Sequence, residues 1–375
     1  LALASWRVAR RIRGGEGLGE HPISYLLGGV LLIGALQWVL GSSVDRAVTE
    51  DALLGWLVNF AVFGLALDLL SDSAARERFL NAALWFAFVL AVVAVFTLLT
   101  SPAGKIFWAF EAGSDVPTLG PFVYKNQYAA FVEALLPLAV LRALGGRDQT
   151  PNGSAWIVNT LIVAVLFGSV VAGGSRMGAI LCVAEIVVIP VIARWRGWIE
   201  TRTAVGAIAG SLAAMALLVA IVGWQPIWAR LQEPNPYSLR LDLVKSSIAM
   251  VCDRPWTGSG LGTWPIAYPA YARFDDGTFV NQAHNDWLQW AVEGGVPMLL
   301  LLLGVAAYAF RPAVRTIWGV GMLAVFVHCL IDYPMQQRPA LAAFFFAMLG
   351  AASASYSGTH KVSKGSRVNA TGPNS

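Results

Sequence analysis

The sequence predicts an all-α fold, a polytopic integral membrane helical bundle, and three observations carry that expectation. Hydrophobic residues fill 57% of the 375 positions and charged residues only 13%, whereas soluble domains give about a quarter of theirs to charge. Mean hydropathy is +0.62. Apolar runs long enough to span the hydrocarbon core, about 18–25 residues each, recur along the chain, and no soluble core absorbs so many.

Ten spans are predicted, at 23–40, 51–70, 79–100, 126–143, 155–172, 177–193, 203–223, 287–310, 314–331 and 338–355. Each is read as a helix because backbone in lipid must satisfy its own hydrogen bonds. The chain then divides into a basic segment at 1–22, seven spans over 23–223, a long loop over 224–286, three spans over 287–355 and a polar, disordered tail at 356–375. Trp56, Trp108, Trp156, Trp195, Trp198, Trp224, Trp228 and Trp287 fall near span ends, as interfacial anchors do.

Loop charge sets the orientation. Sixteen of the 26 Lys and Arg residues lie in alternate loops and the two ends, among them Arg7 to Arg13, Arg194, Arg196 and Lys361. The opposite set holds Arg46, Lys105, Lys125, Arg176 and Arg338, plus five in the long loop, which crosses largely regardless of charge. Both termini are therefore expected in the cytoplasm and the long loop outside. The net charge of +4 becomes a topology signal, and no nucleic-acid partner is expected. Cys182 and Cys329 lie in apolar runs and Cys252 has no companion, which excludes a disulfide framework.

A structureless loop of about 60 residues is improbable. Within it, Ser238 is placed to cap a surface helix with the stripe Leu241, Val244, Ile248 and Val251, flanked by Arg240 and ending before Pro255.

The outer side also collects the chemistry. Lys125 and Asn126 open the fourth span, Arg176 follows a Gly-Gly-Ser connection, and Arg240, His284, Asn285 and Asp286 belong to the long loop and its end. Cations with one imidazole suit an anionic, lipid-borne substrate such as a diphosphate. Taken singly, Arg176 reads first as a headgroup contact and His284 as a solvated loop residue. His328 is expected to be hydrogen-bonded inside span nine. Gly258-Ser259-Gly260-Leu261-Gly262 lacks the lysine and strand–helix setting of a phosphate loop and reads as a tight loop. Asp275-Asp276 reads as a turn before Gly277, with metal binding as its alternative. Acids inside spans are costly and point to function; Asp68, Glu133, Glu185 and Glu293 qualify, and Glu293 would either orient His284 or pair with a basic group.

These segments together resemble the O-antigen ligase and polymerase superfamily. Pro255 to Trp264 is similar to its P-x-x-G-x-G-x-G-x-aromatic segment. Ala283-His284-Asn285-Asp286-Trp287-Leu288-Gln289 with Glu293-Gly294-Gly295 resembles its A-H-N-x-aromatic-L-Q…E-x-G pattern. Lys125-Asn126-Gln127-Tyr128-Ala129, Ser175-Arg176-Met177-Gly178, Arg240 and Asp332-Tyr333-Pro334-Met335-Gln336 resemble further elements, covering roughly 125–350.

The resemblance implies a metal-independent, inverting transfer of a glycan from an undecaprenyl-diphosphate carrier to an acceptor hydroxyl, on the periplasmic side of the bacterial inner membrane. The acceptor would be lipid A core for a ligase or a second lipid-linked repeat for a polymerase. His284 would be the general base, with Arg176 and Arg240 stabilising the leaving diphosphate. Lys125, Asn126, Asn285 and Glu293 would bind or orient. Members have about twelve spans, so one or two helices are expected ahead of Leu1.

Two other classes make different demands on the sequence. A transporter of an anion or glycan would use Glu133 and Glu185 along its pathway and should show inverted repeats, of which none is evident. A non-enzymatic scaffold would tolerate replacement of His284 and Arg176.

Overall fold

A computed structural model describes residues 21–113, 115–145, 153–222, 238–274, 277 and 279–368. The described chain is helical apart from one two-stranded antiparallel pair, β1 (Lys105–Ile106) and β2 (Phe110–Glu111). The basic segment before residue 21, the loop between 223 and 237 with Trp224 and Trp228, and Asp275-Asp276 lie outside the described residues.

Helices coincide with all ten predicted spans: α1 (Pro22–Leu40), α2 (Arg46–Leu69), α3 (Ser73–Thr100), the pair α4 (Lys125–Glu133) and α5 (Leu136–Ala143), α6 (Gly153–Gly173), α7 (Arg176–Trp195), α8 (Thr201–Val222), α11 (Asp286–Thr316), α12 (Val320–His328) and α13 (Pro339–Val368). Between them, the long loop carries α9 (Ser238–Asp253) and a single-turn α10 (Trp264–Ala267). Among the described residues, seven helices (α1, α2, α3, α6, α7, α11 and α13) contain stretches long and apolar enough to cross a membrane.

The faces fit a lipid solvent. Along α3, Leu80, Leu84, Ala87, Ala91, Ala94 and Thr97 are buried at helical spacing, while Trp85, Phe86, Val89, Val92, Phe96 and Leu99 are exposed. Large apolar groups left outside in this pattern mark a hydrocarbon-facing surface, and the alanine stripe lets neighbouring helices approach closely.

Four spans depart from the predicted outline. The fourth is broken after Glu133, because Pro137 at the second position of α5 supplies no N–H to carry the ladder through. Gly321 of α12 seats against the break: a Cβ there would lie 2.5 Å from the Glu133 carbonyl. The eighth lengthens to Thr316 and kinks at Gly295 (φ 70°, ψ −177°). The ninth, expected over 314–331, contracts to α12, since Cys329 and Asp332 instead turn back to accept the Asp286 amide through their carbonyls, at 2.9 and 3.2 Å. The final helix continues to Val368, past the start of the tail expected at 356.

Three of the tryptophans expected at interfaces pack into or against the core, Trp287 buried and Trp56 and Trp198 partly buried. Trp287 is buried and donates its indole N–H to the Phe326 carbonyl at 2.9 Å. Trp56 packs edge-on against Trp290 and Phe346. Trp108, Trp156 and Trp195 are exposed.

Candidate active site

Four segments distant in sequence, around residues 124–126, 240, 284 and 331–333, meet at one end of the bundle around Asp332, whose carboxylate is only 1% exposed. The Tyr124 hydroxyl lies 2.9 and 2.8 Å from its two oxygens. Asn126 donates its amide to Oδ2. Arg240 donates from Nη2 to Oδ2 at 3.0 Å and from Nη1 to the Ile331 carbonyl at 3.0 Å. The Tyr333 amide donates to Oδ1 at 2.9 Å. His284 completes the ring, its Nδ1 3.4 Å from Oδ1.

Burial alone pushes the Asp332 carboxyl up; hydrogen bonding and charge from His284, then the Arg240 guanidinium and the Tyr124 hydroxyl, outweigh it and hold the group below its ordinary value. The same burial, with the Asp332 charge nearby, raises Tyr124 and pushes Tyr333 up to about 12. Both therefore stand as neutral phenols, stacked on one another at 4.8 Å with 8° between their planes. The His284 ring meets Tyr333 edge-on at 4.8 Å.

Local structure explains how each group arrives. His284 sits at φ 51° immediately before α11, a left-handed conformation that is strained for a residue with a Cβ and turns the chain sharply into the helix. Asn285 caps that helix: its Oδ1 accepts from Leu288 N at 3.0 Å and its Nδ2 donates to the Leu330 carbonyl at 2.7 Å. Its side chain is thereby committed to tying α11 to the end of α12. Asn126 bridges instead, accepting from Ser175 Oγ at 2.7 Å while donating to Asp332. Ser175 in turn caps α7 through Gly178 N at 3.2 Å. Lys125 and Arg176, both exposed, are the first residues of α4 and α7, where the helix dipoles also favour an anion. The Asn126–Ser175 bond holds those two helix starts together.

Glu293 belongs elsewhere. Its carboxyl accepts from Gln289 Nε2 at 3.0 Å and lies against the backbone amides of Gly262 and Trp264. Asp332, to which the sequence reading gave no role of its own, stands beside His284. Its signal was available in the Asp-Tyr-Pro-Met-Gln run, but nothing local indicates that a carboxylate there meets residues 124, 126, 240 and 284.

The glycine loop is a structural wedge. Gly258, Gly260 and Gly262 all have positive φ. A Cβ on Gly258 would lie 2.3 Å from the Glu293 carbonyl, and one on Gly260 2.1 Å from Ser43 Oγ. The loop's amides are spent internally: Ser259 N on the Val292 carbonyl at 2.8 Å, Gly260 N on the Glu293 carbonyl at 3.0 Å, Leu261 N on Gln37 Oε1 at 3.2 Å. None of these three is free to cradle a phosphate. In return, the Val296 amide released by the kink in α11 donates to the Pro255 carbonyl at 2.7 Å.

Among the described residues no group of three His, Cys, Asp or Glu side chains is arranged to hold a metal ion. His328 is hydrogen-bonded inside the bundle, its Nδ1 2.8 Å from Glu133 Oε1.

Residues 161–303 match the family model described as O-antigen ligase. That segment contains Arg176, Arg240, His284, Asn285 and Glu293, and leaves Lys125, Asn126 and Asp332 outside it. No curated protein matches the chain. The family match supports an O-antigen ligase-type membrane glycosyltransferase.

Proposed function

We propose that this chain, whose 161–303 segment matches the O-antigen ligase family model, transfers a glycan from an undecaprenyl-diphosphate carrier to an acceptor hydroxyl at the periplasmic face of the inner membrane, with inversion and without a metal. The observation that carries this reading is the meeting of His284 and Arg240 on one buried carboxylate, beside the helix starts that bear Lys125 and Arg176.

The chemistry follows from that arrangement. Asp332 favours a proton on Nδ1 of His284, leaving a lone pair on Nε2 to take the acceptor's hydroxyl proton. The acceptor oxygen bonds to the anomeric carbon as the bond from that carbon to the diphosphate oxygen breaks. The electron pair leaves with the lipid diphosphate, where Arg176, the unspent N–H groups of Arg240, and Lys125 neutralise the growing charge. Lipid A core or a second lipid-linked glycan supplies the hydroxyl. Asn126 and Asn285 act through the architecture rather than as substrate ligands, and Glu293 supports the loop beneath.

The test is transfer of a lipid-linked glycan by purified protein in liposomes. His284→Ala should lower the rate at least a hundredfold, the scale of general base catalysis, and Arg176→Ala and Arg240→Ala should lower it comparably. Near-full transfer by all three variants overturns the assignment.

A further inference from the structure

Beneath the hub, three helices that deliver its groups also meet inside the bundle. Glu133 ends α4, which begins with Lys125 and Asn126; Glu185 lies in the middle of α7, which begins at Arg176; His328 ends α12, just before Asp332. All three side chains are buried, at 0%, 3% and 0% exposure. Glu133 Oε1 is 2.8 Å from His328 Nδ1, whereas Glu133 Oε2, His328 Nε2 and both carboxyl oxygens of Glu185 have no hydrogen-bond partner among the described protein groups. Glu185 is near enough to Glu133 for their charges to interact.

The charge balance admits few arrangements. A carboxylate ion deep in an apolar bundle needs a cation or several hydrogen-bond donors to offset its lost hydration. The single imidazole is already engaged by Glu133. The other neighbours supply no cation: Cys182 is the ionisable group beside Glu185 on α7, and α6 has none. Arg142 on α5 is paired with Glu77, and Arg202 stands at the start of α8. Past His328, toward the hub, come the further acids Asp286 and Asp332. Two ionised carboxylates within reach of one another's charge would add repulsion to desolvation.

We propose that Glu185 is held as a neutral carboxylic acid and, with Glu133 and His328, forms an intramembrane proton-holding site that joins the three helices delivering Asn126, Arg176 and Asp332. Its ligand is an exchangeable proton. The Glu133–His328 pair holds a second proton at Nδ1. Loss of the Glu185 proton would leave an uncompensated charge where α4, α7 and α12 pack, so the site couples protonation within the bundle to the geometry of the hub. This inference does not depend on the transfer reaction.

Infrared spectroscopy of the whole protein in lipid nanodiscs tests it. At pH about 8, far above the ordinary carboxyl range, wild type minus Glu185→Gln should show the C=O stretch of one protonated carboxyl, moving to lower frequency in D2O. Glu133→Gln should shift that band without removing it. A difference spectrum lacking the band overturns the proposal. Should Glu185→Gln fail to fold, wild type with carboxyl-13C glutamate decides: an isotope-shifted protonated-carboxyl band at the same pH is required, and its absence is equally fatal.

Discussion

At the scale of single residues, Asp332 decides the most. It carries the Arg240 ion pair, three hydroxyl or amide donors and the contact to His284, so its loss disorders the hub without touching substrate. Asp332→Asn should lower transfer about a hundredfold or more, with Asp332→Glu recovering part of it, and the variant should elute as a folded protein on size exclusion. The sign of its pH dependence follows from the depressed carboxyl. Stability from this group is present above the ordinary carboxylate value of about 3.9 and is lost only as pH falls through the lower native value. The hub contacts should therefore persist from pH about 8 down to about 4, as tryptophan fluorescence and thermal denaturation in detergent would register; a transition between about 5 and 7 that Asp332→Asn abolishes would contradict this.

At the scale of elements, the glycine loop and the kinked helix are one unit. Gln37 of α1 clasps it, donating from Nε2 to the Thr257 and Glu293 carbonyls at 2.6 and 2.7 Å. Gly258→Ala should lower the denaturation temperature sharply, costing about 2 kcal/mol or more, because its Cβ would meet backbone that cannot yield. Gly28→Ala in α1 meets nothing within 4 Å and should be neutral or mildly stabilising. Much of this level was legible in sequence. Apolar runs placed all ten helical regions, Ser238 and the Leu241-to-Val251 stripe located α9, and the Pro/Gly content of 255–262 marked a tight loop. What escaped was long-range. Pairing Gln37 with Leu261, or Glu293 with the loop instead of His284, depends on which faces meet across the bundle, and hydropathy carries no record of that. The break after Glu133 was signalled only by Pro137, and the shortness of α12 by nothing local.

For the molecule as a whole, the outstanding physical question is which end faces outward, and the chain carries its own probe. Cys252 on α9 is exposed, whereas Cys182 and Cys329 are buried. A membrane-impermeant maleimide should label intact cells at Cys252 alone, and Cys252→Ser should abolish labelling. On that background Ala272→Cys should label from outside, while Glu200→Cys should react only after the membrane is opened. Labelling at Glu200→Cys in intact cells would invert the orientation expected from the arginine distribution and move the proposed reaction to the other face.

The position of Asp332 in the chain has a consequence for biosynthesis. Helices enter the membrane in order as the ribosome proceeds, and the carboxylate that unites Tyr124, Asn126, Arg240 and His284 emerges only just ahead of α13. Until then the imidazole and guanidinium groups have no common anchor. A nascent or prematurely terminated chain therefore carries most of the cationic residues without an assembled centre, and the proposed transfer would have to wait until Asp332 is in place.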